Sequence, residues 1–393
     1  MAISRKIESI LSRSSWIRKM FEEGARLKAL YGSDSVFDFS LGNPNLPPPE
    51  AFNDALADTV RDLVAGCHGY MPNAGLPIAR QAVACILQKE HALEVSENDI
   101  IMTCGAAGGL NVILKTILNE GEEVIAPAPY FVEYTFYVDN HGGVLKTVAT
   151  HDDFTLDIDG IAAAVTEKTR AVLINSPNNP TGQIYSKESL IALGKVLKEK
   201  SDTYGATIYL ISDEPYRKIA YDGIEVPSIW AAYPESIIVT SFSKDISIPG
   251  ERIGYIAVGP GTTHKKALLD GMALVNRILG FVNAPGLMQR VVAAVKGATV
   301  DVTAYARKRE LLCNGLAAAG YQFTAPAGAF YLFPKTPIAD DVQFVRALQE
   351  EKILTVPGSG FGGPGHFRIA FCVDDNTIIN AMPGFNKVMQ QYK

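Results

Sequence analysis

The sequence predicts an α/β fold in which a mostly parallel sheet lies between helices, with a smaller α/β domain beside it. From about residue 98, short runs rich in β-branched and other apolar residues alternate with longer stretches of helical pattern. These runs are almost continuously apolar, which is typical of parallel strands covered on both faces. After about residue 290, a long helical stretch and a few short strands replace the alternation. This change of pattern favours a second domain.

The elements expected in the large sheet follow one another along the chain. Its strands are Asp99–Thr103, Glu123–Ala126, Gly143–Val148, Ala171–Asn175, Thr207–Ile211 and Ser236–Thr240. The other expected elements are the helices Ala107–Leu118, Lys187–Lys198 and Val300–Ala319, the short strands Phe330–Phe333 and Phe367–Phe371, and a closing helix. The proline-rich segment Asn43–Pro49 cannot be regular helix, because proline lacks the N–H group and clashes in a helix interior. It is expected to link an N-terminal helix to the sheet.

Composition and charge argue against several classes of protein. With 47% hydrophobic residues among 393, the chain can bury a large core and is not expected to be disordered. The formal net charge of -6 argues against a general attraction to nucleic acid. The five cysteines are scattered without a C-x-x-C pair, which argues against a disulfide framework or a zinc site and favours a reducing cytoplasm. No run reaches the roughly 20 apolar residues of a membrane-spanning helix.

Three of the predicted strands are followed by unusual polar segments. They are Ser176-Pro-Asn-Asn-Pro-Thr-Gly182, Ser212-Asp-Glu-Pro-Tyr216 and Ser241-Phe-Ser-Lys-Asp245. Taken singly, Asn179 fits a turn, Asp213 a helix cap and Lys244 a solvent-exposed side chain. Together they place an amide, a carboxylate and a lysine at the edge of the sheet where ligands bind in α/β folds. This convergence predicts an active site.

With these segments in this order, the chain resembles the fold type I pyridoxal-phosphate aminotransferases of class I and II, the group that includes aspartate aminotransferase. The resemblance covers nearly the whole chain and rests on the segments Ser40–Pro44, Tyr70–Gly75, Gly105–Ala107, Pro129–Phe131, Asn178–Gly182, Asp213–Tyr216, Ser241–Lys244, Arg252–Tyr255 and Phe367–Arg368. It implies an enzyme that moves an amino group between an α-amino acid and a 2-oxo acid. It also implies a large cofactor-binding domain over residues 46–288, and a small domain of residues 1–45 and 289–393 that closes over the substrate.

The resemblance implies a role for each residue around the ring of the cofactor, pyridoxal 5'-phosphate. Lys244 would bind the cofactor as an aldimine, a Schiff base, and then carry the proton between the reacting carbons. Asp213 would keep the pyridine nitrogen protonated, which makes the ring an electron sink. Tyr216 and Asn179 would hydrogen-bond the ring oxygen O3′ and tune the pKa of the aldimine. Phe131 would stack on the ring.

The resemblance also implies a phosphate site. Gly105, Ala106 and Ala107 would open a helix at a strand end, where backbone N–H groups and the helix dipole favour an anion. Ser241 and Arg252 would add a hydroxyl group and a guanidinium group. The sequence departs here from common members of the family, because neither Ala106 nor Ala107 offers a polar side chain. Backbone donors and Arg252 would then carry more of the binding.

Further residues are implied in substrate binding and in assembly. Arg368 would grip the substrate α-carboxylate in a bidentate geometry, with Asn179 beside it. Gly42 would lie where the N-terminal segment closes over that carboxylate, with no room for a Cβ. Tyr70 would reach the phosphate in the neighbouring subunit, so the resemblance implies a homodimer with shared active sites.

Two alternatives to an aminotransferase remain within this fold. In a carbon–sulfur β-lyase, the same deprotonation at Cα leads to elimination when the β-substituent is a leaving group. A cofactor-sensing module of a transcription regulator would carry a DNA-binding domain upstream, whereas here the resemblance begins near residue 15. The segment Gly358–Gly363 satisfies G-x-G-x-x-G literally, but it lacks the strand-to-helix context of a dinucleotide site. It is expected to be a glycine-rich turn.

The sequence does not determine which amino acid is the donor. In some members of the family, an arginine reaches across the dimer and binds the second carboxylate of the substrate. Arg277 is offset by one residue in the alignment from that arginine. A solvent-exposed arginine at a helix end is the alternative. Tyr130, Tyr134, Phe330 and Tyr331 could instead line an apolar pocket for a neutral or aromatic side chain.

Overall fold

The computed structural model describes residues 2–12 and 16–392. Its helices are α1 (Arg5–Ser12), α2 (Trp16–Tyr31), α3 (Glu50–Arg61), α4 (Pro77–His91), α5 (Gly105–Ile117), α6 (Glu133–Asp139), α7 (Ile158–Ala164), α8 (Lys187–Tyr204), α9 (Lys265–Ile278), α10 (Gly286–Ala294), α11 (Val302–Ala319), α12 (Asp341–Glu350) and α13 (Asp375–Gln391). Residues 1, 13–15 and 393, all in the predicted small domain, lie outside the described residues. Within the described ranges, no helix is both long and apolar enough to cross a membrane.

The strands form one large sheet and two small ones. They are β1 (Phe37–Asp38), β2 (Ile100–Thr103), β3 (Glu123–Ala128), β4 (Val144–Ala149), β5 (Thr169–Asn175), β6 (Tyr209–Asp213), β7 (Ser236–Ser241), β8 (Gly254–Val258), β9 (Tyr331–Leu332), β10 (Ile353–Leu354), β11 (Val356–Pro357) and β12 (Phe367–Ala370). The large sheet has the order β2-β8-β7-β6-β5-β3-β4, and the small sheets have the orders β1-β10 and β11-β12-β9. In the large sheet, β8 is antiparallel to both of its neighbours, and the other pairs are parallel. The predicted α/β fold class is confirmed.

Several strand bounds differ from the prediction by one or two residues, and two differences concern the strands that position the site. Strand β6 begins later than predicted and ends at Asp213, so this carboxylate is the last residue of a strand. Strand β8 is absent from the prediction, although it lies in the sheet between β2 and β7. It is short and follows Arg252 almost directly, and the backbone of Arg252 adopts the left-handed region at φ 52°. A turn residue of this kind gives no sequence signal for the strand after it.

The large sheet is buried on both faces. One face packs against α3, α4, α8 and α10, for example through Val83, Leu193 and Val291. The other face packs against α5, α6 and α9, for example through Ile113 and Met272. Except at the edge strand β4, which is partly exposed, neither face meets water, so the strands are almost entirely apolar, which explains the pattern in the sequence.

The two ends of the chain meet in a separate core. Its large buried residues include Phe39, Phe330, Phe344, Phe367 and Phe385. Strand β1 pairs in parallel with β10. The backbone N–H of Ala370 in β12 donates to the carbonyl of Phe39 at 2.9 Å. These contacts place the N-terminal segment after β1 beside β12, the strand that carries Arg368.

The segment Gly358–Phe361 forms a 3-10 turn before β12. The N–H of Gly363 donates to the carbonyl of Gly358 at 2.9 Å, which closes the turn. A Cβ on Gly358 would lie 2.2 Å from the carbonyl oxygen of Gly363, which leaves no room for any side chain there. The glycines therefore serve a tight turn, and the interpretation of this motif as a turn is confirmed.

Candidate active site

A cleft of about 270 Å³ lies at the edge of the large sheet, beside the N-terminal segment. Most of the residues predicted for the site line it: Gly42, Ala106, Ala107, Phe131, Asn179, Asp213, Tyr216, Ser241, Lys244, Arg252 and Arg368. Gly105 lies behind this lining, in contact with Arg252. Tyr70 is not part of the lining within this chain, and 94% of its surface is exposed.

The directions of the strands bring these residues to one edge of the sheet. Strands β5, β6 and β7 are parallel and end at Asn175, Asp213 and Ser241, and Asn175 lies directly opposite Asp213. Strand β8 runs the other way, and its first residue, Gly254, lies opposite Ser241. Arg252 comes just before Gly254, so it lies at the same edge as Asp213.

Asp213 is a buried carboxylate with one free oxygen. The phenol of Tyr134 donates a hydrogen bond to Asp213 Oδ2 at 2.6 Å, whereas Oδ1 is buried without a partner among the described residues. Burial raises the pKa of Asp213 to about 7, and the bond from Tyr134 acts against this rise. Asp213 lines the cleft, and its unpartnered oxygen would be stabilised by a cationic or donating partner. A ligand with a protonated nitrogen would satisfy it.

Lys244 lies in the loop after β7. Its Nζ donates a hydrogen bond to the carbonyl of Gly42 at 2.8 Å. Burial lowers the pKa of Lys244 to about 8; the thiol of Cys372 opposes this change, while the charges of Arg252 and Arg368 add to it. A lysine with this pKa has a usable neutral fraction near neutral pH, which a nucleophilic amine requires.

Tyr216 and Tyr331 form a hydrogen-bonded pair of phenols. Their Oη atoms are 2.8 Å apart, and their rings pack edge to face. Burial raises the pKa of Tyr216 well above its ordinary value and that of Tyr331 to about 12. Both phenols are therefore neutral donors near neutral pH. A Cβ on Gly42 would lie 1.9 Å from Tyr331 Oη, so only glycine fits over this pair.

Arg368 is a fully buried guanidinium group that has no carboxylate partner among the residues the structure describes. Its Nη2 donates to the carbonyl of Ser40 at 2.5 Å, and Nη1 donates to Asn179 Oδ1 at 3.1 Å. The group also lies over the rings of Tyr331 and Phe361, at 4.8 and 4.7 Å from their centres. Burial lowers its pKa, and Nε has no partner among the described residues. A buried cation in this state favours an anionic ligand.

The start of α5 and Arg252 form a concave site for an anion. Helix α5 begins at Gly105, whose φ is +71°, and a Cβ there would lie 2.7 Å from Arg252 Nη2. Arg252 Nη1 donates to the carbonyl of Pro249 at 3.0 Å. Ser241 lies on the same wall of the cleft. The helix N-terminus supplies free backbone N–H groups, and the guanidinium group supplies charge.

Comparison with known proteins decides the family. The family model for aminotransferases of class I and II matches residues 34–383. A probable aspartate aminotransferase of Methanocaldococcus jannaschii is 30% identical over 388 residues, which cover 97% of this chain and 98% of the relative. The chain belongs to the class I and II aminotransferases. The aspartate/prephenate aminotransferase of Thermus thermophilus is 33% identical over 364 residues, covering 89% of this chain and 90% of the relative.

Solved structures of aminotransferases share the fold of this aminotransferase. A crystal structure of an aminotransferase from Eubacterium rectale has a TM-score of 0.97 and 38% identity, and the match covers 100% of both chains. The aspartate aminotransferase of Thermus thermophilus with maleate has a TM-score of 0.87 and 29% identity, covering 99% of this chain and 100% of that one. The fold type I architecture expected from the resemblance is confirmed.

This aminotransferase is pyridoxal-phosphate-dependent and moves an amino group between an α-amino acid and a 2-oxo acid. The relatives favour this reaction over β-elimination. The cleft also fits the cofactor: the unpartnered Asp213 Oδ1 suits a protonated ring nitrogen, and Lys244 offers an amine of lowered pKa. Gly105 and Arg252 suit the phosphate.

Three supporting side chains have roles that the sequence did not indicate. Asn175 donates from Nδ2 to the carbonyl of Asp213 at 2.7 Å and accepts from the N–H of Asn179 at 2.7 Å, so it orders two segments at once. Tyr134 was expected as a pocket wall but lies behind Asp213, outside the cleft lining. Tyr331 does line the cleft, as a phenol bonded to Tyr216. Only the position of Asn175, at a strand end, could have marked it in advance.

Proposed function

We propose that Lys244 is the Schiff-base lysine of this aminotransferase and the group that carries the proton during the reaction. The proposal depends on one observation: Lys244 Nζ lies in the cleft that also holds Asp213 and Arg368, and burial there lowers its pKa to about 8. When bound, the cofactor supplies an aldehyde and a ring that accepts the electron pair released at Cα. An amine that is neutral in part near pH 7 can attack the aldehyde and can also take up and return a proton.

The groups that hold the ring follow from the same cleft. Asp213 Oδ1 would pair with the protonated ring nitrogen, while the bond from Tyr134 favours the ionised form of the carboxylate. Tyr216, as a neutral phenol, would donate to the ring oxygen. Asn179 uses its Oδ1 for Arg368, which leaves its N–H groups for the same ring oxygen. Phe131, which lines the cleft, would stack on the ring.

The phosphate would bind at the start of α5. Gly105, Ala106 and Ala107 have no side chain that would fill this space, so the backbone N–H groups of the first turn stay accessible to an anion. Ser241 would donate from its hydroxyl group, and Arg252 would donate from its guanidinium group. The small side chains at 106 and 107 are consistent with a site that uses backbone donors and one cation.

The substrate α-carboxylate would pair with Arg368. The unpartnered Nε and the buried position of the guanidinium group support this role. Asn179 holds one nitrogen of the group, and the carbonyl of Ser40 holds another, so Arg368 is oriented before substrate binds. Gly42 would cover the bound carboxylate from the N-terminal segment.

A homodimer with shared active sites is part of the proposal. Tyr70 projects from the chain with 94% of its surface exposed, as expected for a side chain that completes the site of a second copy. The backbone beside it is held in place: Asn283 Nδ2 donates to the carbonyls of Met71 and Pro72 at 3.3 and 3.0 Å. Size measurement in solution, with a Tyr70→Ala variant assayed for cofactor affinity, tests this part.

We further propose that residues 46–288 form the cofactor-binding domain, and that residues 1–45 and 289–393 form the closing domain. The separate core at the two chain ends supports the division, although Val291 and its neighbours in α10 pack with the large sheet and extend the first domain. The five cysteines are free thiols, which supports a reducing cytoplasm as the location.

Borohydride reduction of the cofactor-saturated protein, followed by peptide mapping, tests the central proposal. The label is expected on the peptide that contains Lys244 and is expected to disappear in Lys244→Ala. An unlabelled Lys244 in fully loaded protein would show that the cofactor is attached elsewhere.

A further inference from the structure

We infer, building on the proposed function, that the cleft accepts a neutral amino acid with an apolar side chain in preference to a dicarboxylic amino acid. The inference concerns the side chain of the substrate, because the α-carboxylate, amino group and cofactor already have assigned partners. It depends on which charges line the cleft and on what they contact.

Each cation in the described lining already has a task. The cations are Lys244, Arg252 and Arg368. Lys244 would carry the cofactor, and Arg252 lies against the start of α5, where the phosphate would bind. Arg368 is held by the carbonyl of Ser40 and by Asn179 and would pair with the α-carboxylate. No cation in the part of the chain that the structure describes is left over for a second carboxylate in this cleft.

The lining also offers apolar surface. Leu41 and Leu110 contribute to the same cleft, beside Ala106, Ala107 and Phe131, which would contact the cofactor. Leu110 is buried, whereas Leu41 lies in the N-terminal segment and exposes 40% of its surface. An alkyl or aryl side chain of the substrate would cover such surface and remove it from water, which is favourable roughly in proportion to the area covered.

A second carboxylate would meet a costly environment. It would lose water without gaining a cation, and this desolvation disfavours the charged form. It would also add negative charge to a cleft that contains Asp213, which must itself stay ionised to hold the ring nitrogen. Both effects reduce the affinity for acidic donors relative to neutral ones.

Arg277 is the arginine that could change this balance from another copy of the chain. It lies in the last turn of α9, is exposed, and is not part of the cleft lining. Within one chain it therefore makes no contribution to the site. The experiments include an Arg277 variant so that a contribution from a second copy becomes visible.

The first test compares kcat/KM of the holoenzyme for alanine, norvaline, leucine and phenylalanine with kcat/KM for aspartate and glutamate. We expect the best neutral donor to exceed both acidic donors by at least about tenfold, equivalent to about 1.4 kcal/mol. If aspartate or glutamate equals or exceeds every neutral donor, the inference is overturned, while labelling at Lys244 would leave the proposed function standing. Attachment of the cofactor to another lysine would overturn both.

The second test measures binding without turnover. Calorimetric titration of the holoenzyme with maleate, a dicarboxylate, and with 3-methylbutanoate, a branched monocarboxylate, compares the two kinds of side chain directly. We expect the monocarboxylate to bind more tightly. Tighter binding of maleate would show that the cleft provides a second site for an anion and would contradict the inference.

Variants then locate the cause of the selectivity. Leu41→Lys adds a flexible cation to the lining, and Leu41→Met is its uncharged control of similar length. We expect the lysine variant, and not the methionine variant, to raise the ratio of aspartate to leucine turnover by about tenfold. An unchanged ratio in both would show that charge in the lining does not set the preference. A fall in aspartate turnover of tenfold or more in Arg277→Ala, with leucine turnover unchanged, would assign a carboxylate-binding cation to a second copy and overturn the inference.

Discussion

The two walls of the cleft are built in different ways. The cofactor-facing wall, which contains Asp213, Ser241 and Lys244, stands at the ends of neighbouring strands in the large sheet. The carboxylate-facing wall, which contains Gly42 and Arg368, comes from an N-terminal segment and a short strand that meet only through tertiary contacts. The first wall is fixed by the hydrogen bonds of the sheet. The second depends on a few specific contacts.

Hydrogen bonds join the two walls, and one of them runs from Arg368 Nη1 to Asn179 Oδ1 in the loop after β5. Lys244 Nζ donates to the carbonyl of Gly42, and the phenols of Tyr216 and Tyr331 are bonded to each other. Changes on the cofactor-facing wall should therefore remove chemistry or cofactor binding, while changes on the other wall should chiefly weaken substrate binding. Substitutions on each side test this division, because they affect different kinetic constants.

The largest effect is expected for Lys244→Ala. Without the amine, the protein loses both the attachment point and the group that carries the proton, so we expect kcat to fall by more than about 10³-fold. Steady-state kinetics with any accepted donor measures this loss. Lys266→Ala is the control, since Lys266 is a surface lysine paired with Asp270, and it should leave the rate unchanged. A normal rate in Lys244→Ala would remove Lys244 from the mechanism.

Arg368→Ala is expected to weaken substrate binding and to leave cofactor binding almost unchanged. Loss of a buried partner for the carboxylate should lower kcat/KM by about 30- to 700-fold, which corresponds to about 2 to 4 kcal/mol. The affinity for pyridoxal phosphate, measured by absorbance titration, should change little because Arg368 stands on the opposite wall. Equal losses in cofactor affinity and in substrate affinity would show that the two walls act as one unit.

Gly42→Ala should disturb the contact between the walls more mildly. The added Cβ would lie 1.9 Å from Tyr331 Oη and 2.6 Å from the adjoining ring carbon, so the N-terminal segment must move away. Overpacking of this kind costs roughly 1 to 3 kcal/mol, and we expect kcat/KM to fall by about tenfold. The measurement is steady-state kinetics of both glycine variants, Gly42→Ala and Gly250→Ala.

The control and the double variant make the test of Gly42 specific. Gly250 has ordinary backbone angles and no atom within 4 Å of an added Cβ, so Gly250→Ala should behave as the parent protein does. Tyr331→Phe removes the nearest clashing atom and should restore part of the activity of Gly42→Ala. If the double variant recovers nothing, the loss does not arise from the contact with Tyr331.

The difference between the walls also explains what could be predicted from the sequence. Asp213 and Lys244 follow apolar runs that are recognisable as parallel strands, so their convergence at one sheet edge could be foreseen. Strand β8 could not be foreseen, because a single residue, Arg252, turns the chain before this short antiparallel strand. The bond from Tyr134 to Asp213 joins residues 79 positions apart on different elements. Such contacts depend on packing geometry, which local sequence patterns do not encode.

The smallest effect is expected for Tyr134→Phe in the cofactor-free protein. The pKa of Asp213 is 3.8 in its ordinary state and about 7 in the folded chain, so between these values the native state binds more protons than the unfolded state. The free energy of unfolding therefore falls as pH rises from about 4 to about 7. Removal of the phenol raises the pKa further, and the decline should continue above pH 7. The loss in free energy of unfolding that Tyr134→Phe causes, measured by urea denaturation, should be about 1 kcal/mol larger at about pH 8.5 than at about pH 6.

Tyr233→Phe distinguishes this effect from the loss of any buried phenol. Tyr233 is also buried, but it donates to the backbone carbonyl of Ile208 at 3.0 Å and not to a carboxylate. The loss in free energy of unfolding caused by Tyr233→Phe should be the same at both pH values, because no carboxylate accepts a hydrogen bond from Tyr233. If the penalty of Tyr134→Phe were equally independent of pH, Tyr134 would support Asp213 by packing alone. The ionised state of the carboxylate would then depend on the bound cofactor, and the cofactor-facing wall would be incomplete without it.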